Sequence, residues 1–138
     1  MTESHEGGCQ CGAVRYRTTG TPRRISACCC RACQLRTGAP IGVSVYFAEE
    51  DVEILNGEMK TFERASDAGR KLIHEFCPSC GTTVAWTGEF VKGLRGIAAG
   101  TFDEPSFWYT PERLVYSRTS PDWLHLDGSI PTFEAMPA

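Results

Sequence analysis

Apolar and polar positions alternate along most of this chain in runs too short for helices. Residues 13–18, Ala13-Val14-Arg15-Tyr16-Arg17-Thr18, keep a period of two, the pattern of a strand with one buried face. Gly20-Thr21-Pro22 breaks that run as a turn, and residues 23–27 predict a second strand leading into a cluster of cysteines. Residues 41–47 and 52–55 are rich in β-branched and aromatic side chains. Asn56-Gly57 then predicts a hairpin turn into a strand over residues 59–64. Residues 71–76, 83–87, 93–99 and 113–117 complete the predicted strands. A helical period lasts at most about two turns, near residues 31–36 and 104–109. Many short strands at this spacing predict one all-β domain over residues 1–138. The proline-bearing tail, residues 120–138, reads as an extended wrap over the surface.

Composition changes this picture little. The 138 residues suit one domain with a core of its own, and 41% hydrophobic with 22% charged residues is ordinary for a globular chain. A net charge of -3 argues against binding nucleic acid by general phosphate attraction. The N-terminus has neither the basic nor the apolar region of a secretory signal, and no apolar run approaches a membrane span, so a cytoplasmic protein without a membrane partner is expected.

Eight cysteines in a reducing compartment call for a metal or redox explanation. Disulfides fit the spacing poorly: Cys28, Cys29 and Cys30 are consecutive, and Cys9 and Cys11 flank one residue, so local bridges would be strained. Cys77-Pro78-Ser79-Cys80-Gly81 has the form of a zinc knuckle, with two thiols facing one ion and a glycine for the turn. A redox pair would expect a βαβ context, which is absent. A closed tetrahedral site needs two more ligands, and the tight turn Cys9-Gln10-Cys11-Gly12 supplies them. The remaining group, Cys28-Cys29-Cys30-Arg31-Ala32-Cys33, can bring the sulfurs of Cys28, Cys30 and Cys33 round a second ion. Cys29 points away if the turn is regular. Three protein ligands with an open position is the pattern of a catalytic zinc. Closure of that site by Cys29 or His74, or a metal-free cluster of reactive thiols, are the alternatives.

These motifs together resemble one family. Gly8-Cys9-Gln10-Cys11-Gly12-Ala13-Val14-Arg15-Tyr16, the cluster at Cys28 to Cys33 followed by Thr37-Gly38-Ala39-Pro40, and Phe76-Cys77-Pro78-Ser79-Cys80-Gly81-Thr82 stand in the order found in the glutathione-dependent formaldehyde-activating enzyme family, which includes centromere protein V. Less specific likenesses follow at Ala99-Gly100-Thr101-Phe102-Asp103 and Pro121-Asp122-Trp123-Leu124. The resemblance implies a β-tent fold. It also implies a structural zinc on Cys9, Cys11, Cys77 and Cys80, and a substrate-facing catalytic zinc on Cys28, Cys30 and Cys33, two zinc ions per chain. The family's usual histidine between the first two cysteines of the central motif is Cys29 here.

The activity so implied is that of a carbon–sulfur lyase of the S-(hydroxymethyl)glutathione synthase type, with a small glutathione-like thiol as substrate partner. Two other readings compete with it: a non-enzymatic zinc-binding module for a protein or nucleic-acid partner, and a thiol- or metal-stress sensor. Arg31 and Arg36 flank the central cluster and either hold a substrate carboxylate or sit on a solvated surface. His74 is a candidate proton carrier or an exposed strand residue. His5 falls in an expected loose terminus and His125 in the tail. Trp86, Phe90, Trp108 and Trp123 are candidates for a pocket lining or for the core, and Asp103 for a turn.

Overall fold

A computed structural model describes residues 3–66, 68–104 and 110–137. Its strands, in chain order, are β1 (Ser4–Gly8), β2 (Arg15–Thr19), β3 (Arg24–Cys28), β4 (Gly42–Ala48), β5 (Val52–Asn56), β6 (Lys60–Ala65), β7 (Lys71–Phe76), β8 (Thr83–Gly88), β9 (Leu94–Ala98) and β10 (Arg113–Val115). A single α-helix among the described residues, α1 (Arg31–Thr37), follows β3. All the strands predicted from the alternation are present, and the fold is mostly β. All eight cysteines are free thiols, and no described helix is long and apolar enough to cross a membrane.

The strands form two sheets. Three antiparallel strands run in the order β1-β2-β5, and seven run in the order β10-β3-β4-β9-β8-β7-β6. Neighbours in the larger sheet are antiparallel except β10, which lies parallel to β3. Strand alternation gives that sheet two different faces. On the inner face Val45, Phe47, Val84 and Ile97 are fully buried and pack with Val14, Tyr16 and Phe102. Each such side chain contributes about 1.5–3 kcal/mol of burial. Tyr16 keeps its phenol satisfied by hydrogen bonding to Thr101 Oγ1 at 2.8 Å, and its ring meets Phe102 edge-on at 5.5 Å.

The outer face of the same sheet carries a cross-strand row of a different kind. Register places Arg24 beside Tyr46, Tyr46 beside Gly96, Gly96 beside Trp86, Trp86 beside His74 and His74 beside Phe62. Gly96 is required in that row because the Trp86 indole lies over it: a Cβ at 96 would stand 2.3 Å from Trp86 Nε1. From that position the indole N–H donates to Tyr46 Oη at 3.2 Å.

Several expectations are corrected. The segment that holds His5 is not loose: β1 pairs with β2 along its whole length, and His5 stands opposite Thr18. Asn56-Gly57 does not join a hairpin, because β5 pairs with β2 and β6 pairs with β7. The Asn56 side chain instead donates to the Ala13 carbonyl at 3.3 Å, tying the turn to the smaller sheet while the chain crosses to the larger. Asp103 is more than a turn residue: its carboxylate accepts from both terminal nitrogens of Arg15. The expected turn over residues 104–109 lies almost wholly outside the described residues, as does Trp108.

The tail does wrap the fold, and it does so through the backbone. Leu114 N–H donates to Pro131 O and Phe133 N–H to Leu114 O, both at 2.9 Å. Leu124 and Leu126 pack on Ala27, Cys29 and Leu114.

Candidate functional site

The turn after β1 and the turn between β7 and β8 bring Cys9, Cys11, Cys77 and Cys80 together, with all four sulfurs within 4.8 Å of one another. Cys9 Sγ lies 3.6 Å from Cys11 Sγ, which lies 3.7 Å from Cys77 Sγ. Four thiolates set tetrahedrally about 2.3 Å from a zinc ion would be about 3.8 Å apart, so the arrangement fits such an ion. Backbone N–H groups aim at the sulfurs: Val14 N donates to Cys9 Sγ at 3.2 Å and Ser79 N to Cys77 Sγ at 3.4 Å. Hydrogen bonding with Thr82 holds the Cys80 thiol down at about 5. The glycines that close the two turns, Gly12 and Gly81, take φ of 83° and 79°, the left-handed region glycine enters without strain. These four residues clamp the smaller sheet to the β7–β8 turn of the larger one.

The second cluster forms where β3 ends and α1 begins. Cys28 closes the strand, Cys30 caps the helix by accepting from Cys33 N–H at 3.4 Å, and Cys33 sits in the first turn. Their three sulfurs also fall within 4.8 Å of one another. Hydrogen bonding from Cys28, then from Cys33, drives the Cys30 thiol down to about 2, while hydrogen bonding to Cys30 and Cys33 pushes Cys28 well up. Sulfurs this close oppose one another's ionisation, and a cation is what would let all three ionise. Both clusters could therefore hold metal ions. Neither alternative fourth ligand joins the second one: Cys29 is fully buried on the far side against Ala27 and Leu114, and His74 stays outside the sulfur group.

The three sulfurs lie in the wall of a cavity of about 230 Å³ on the outer face of the larger sheet. Tyr46, His74 and Trp86 of the cross-strand row line it, and so do Phe90, Arg31 and Arg36. Arg36 is no solvated surface group, since its guanidinium stacks 4.5 Å over the Trp86 ring. Arg31 is exposed and donates to Gln34 Oε1 at 2.7 Å. Trp123 is 69% exposed and takes no part, and His125 is exposed in the tail. Above the cluster Tyr116 adopts φ 59°, a costly conformation for an aromatic residue. The short 3-10 turn that follows lets Thr119 Oγ1 donate to the Cys29 carbonyl.

His74 is neither exposed nor poised to titrate near neutrality. Burial, then the charges of Arg64 and Arg36, push it from 6.5 to about 4, so the imidazole is neutral at pH 7. A depressed histidine favours the fold above its unfolded pKa, and that contribution is lost as pH falls from about 6.5 towards 4. An NMR titration should show its ring resonances moving with a midpoint near 4. His74→Gln should flatten the fall in stability over the same interval.

A family model described as glutathione-dependent formaldehyde-activating enzyme matches residues 4–119. The chain belongs to this family. That match takes in both cysteine clusters and all ten strands. Among solved structures, the crystal structure of a Rhodobacter sphaeroides protein, a Northeast Structural Genomics target, shares the fold with a TM-score of 0.59 at 17% identity, covering 77% of this chain and 96% of that one. No curated protein matches. Membership of a glutathione-dependent formaldehyde-activating family suggests chemistry on glutathione and formaldehyde.

Sequence reading found the seven clustered cysteines but missed most of the cavity. Arg24, Ser26 and Cys28 alternate along β3 and face the cavity together, as do Ser44 and Tyr46 on β4. The polar positions of these two alternating runs were the available signal. Arg64, Arg70 and Arg113 arrive from distant segments and carried none.

Proposed function

We propose that this protein makes or breaks the carbon–sulfur bond of a thiol–aldehyde adduct at the cavity of Cys28, Cys30 and Cys33, with zinc at both cysteine clusters. The observation that carries this reading is the convergence of three sulfurs, with no fourth protein ligand among the described residues, in the wall of a cavity large enough for a small thiol. Zinc held there would supply a Lewis acid for the thiol or the carbonyl oxygen. In the forward direction the thiol sulfur adds to the carbonyl carbon, the C=O π pair moves to oxygen, and the thiol proton ends on that oxygen. The reverse regenerates thiol and aldehyde.

The chain's own residues divide the remaining work. Arg36, fixed on Trp86, can pair with a carboxylate of the thiol and set its reach into the cavity. Tyr46, whose burial raises its pKa, keeps its proton and can donate to the adduct oxygen. Neutral His74 offers one ring N–H and one acceptor nitrogen, enough to pass the proton between sulfur and oxygen without ever holding it for long. The apolar sides of Trp86, Phe90 and Leu72 keep the region from being wholly aqueous.

The test is to follow exchange between free glutathione, formaldehyde and their adduct by NMR, with and without metal-replete protein. Positioned proton donors and acceptors should speed exchange about 100-fold or more over buffer. Identical rates with and without protein between about pH 6 and 8, the range in which thiols begin to ionise, would remove the proposal.

A further inference from the structure

The cavity has an unbalanced charge. Arg24, Arg31, Arg36, Arg64, Arg70 and Arg113 all line it, and none of them forms an ion pair with a described carboxylate. Arg118 lines it as well. Three of the arginines elsewhere are paired: Arg15 with Asp103, Arg17 with Glu6 and Glu53, Arg95 with Glu75. No described lining residue is Asp or Glu. Arg36 Nη2 and Arg64 Nε are buried with no hydrogen-bond partner, so two donors wait for an acceptor that the protein does not supply.

These cations fall into two groups. Arg24 and Arg113 stand together on β3 and β10, where Arg113 donates to Ser26 Oγ at 3.1 Å and is pushed down by burial and by Arg24. Arg36 and Arg64 gather round His74 on β7. Four strand-to-strand steps along the sheet separate β3 from β7, and the Arg36 guanidinium reaches between them as far as Gly42, opposite Cys28. Long arginine side chains reaching inward from both ends suit a molecule charged at both of its own ends, each pairing with a guanidinium fork.

A positive group on that molecule would find no carboxylate among the described lining residues. Their side-chain oxygens are the neutral ones of Ser26, Ser44, Tyr46, Ser66 and Thr119, and the Cys28, Cys30 and Cys33 sulfurs would be engaged by the metal. The ring face of Trp86, which would otherwise hold an ammonium, is taken by Arg36. Glutathione carries two carboxylates, a thiol and an ammonium, and only the first three suit this cavity.

We propose that the cavity selects a thiol with anionic groups at both ends and no ammonium, and therefore prefers deaminated over ordinary glutathione chemistry. The inference rests on the reading that its ligand is a small thiol. The probe is deaminated glutathione, in which hydrogen replaces the α-amino group and both carboxylates and the thiol remain. Calorimetric titration of the metal-replete protein should show it binding about tenfold or more tightly than glutathione, the effect of one unfavourable charge contact. Equal or tighter binding of glutathione overturns the proposal, and so does the absence of binding by either.

Arg24→Gln together with Arg113→Gln removes one cationic end. The pair should cost the deaminated ligand about tenfold or more in affinity, and no loss would overturn the two-ended assignment. Asp67 falls between Ser66 and Ala68 in sequence, outside the described residues. Asp67→Asn should keep the same preference, and a preference seen only in that variant overturns the proposal. Binding is read without turnover, so a failed lyase assay with a confirmed preference removes the reaction and leaves the ligand class standing.

Discussion

Replacing Cys77 by serine is expected to remove one metal ion per chain and most of the protein's stability. Cys77 is fully buried at the end of β7, 3.7 Å from the Cys11 sulfur on the turn that joins β1 to β2. The four-cysteine cluster is thus a tie between the two sheets as well as a local turn. Structural zinc supplies about 10–16 kcal/mol in small peptides that have no other core. This chain has a core of its own between the sheets, so a smaller share falls to the metal, yet whole domains are stable by only about 5–15 kcal/mol. A loss of about 5 kcal/mol would lower Tm by about 10–20 °C. Elemental analysis and thermal unfolding, with a strong chelator added to the wild type in parallel, check this directly. A variant with unchanged metal content, melting within a few degrees of wild type, would show that the cluster is not structural.

Cys30→Ser should behave in the opposite way: one metal ion lost of two, the fold kept, and activity gone. Cys30 is the N-cap of α1 and accepts the Cys33 N–H. Serine is among the best residues at such a position, so the helix keeps its start. What disappears is one of the three sulfurs that converge there. The expected fall in the rate of adduct exchange is about a thousandfold, which corresponds to about 4 kcal/mol of barrier. Metal content, circular dichroism and the exchange assay together make the check. One metal ion per chain in both proteins would mean that the three-cysteine cluster does not hold metal, and the lyase reading would lose its main support.

These two variants draw on different parts of the sequence's legibility. The cysteine groups were readable because a ligand pair separated by one or two residues needs only a local turn to converge, and Gly12 and Gly81 announce that turn. Strand positions were readable for the same reason: period-two alternation is a local property. Pairing was not. Asn56-Gly57 is the commonest hairpin signal, yet Asn56 spends its side chain on Ala13 and its flanking strands enter different sheets. Nor did Gly8 and the residues before it betray a strand, since β1 is held by its ladder to β2 rather than by its own propensity. The cavity was least legible because its character is a sum over segments. Arg24, Arg64 and Arg113 look like ordinary surface residues one at a time, and only register and the β10 crossover place them round one space.

The parallel pairing of β10 with β3 has a consequence for how the chain matures. Every cysteine has been synthesised once Cys80 emerges, and both sheets except β10 are in hand by Ala98. The edge of β3 beside Cys28 nevertheless stays open until Val115 is made, and Thr119 and the tail must then follow to hold it. Pairing across so many residues is slow compared with the local hairpins. During translation the sheet-clamping cysteines therefore close first, and the cavity is finished only after β10, Thr119 and the segment that follows them have been made.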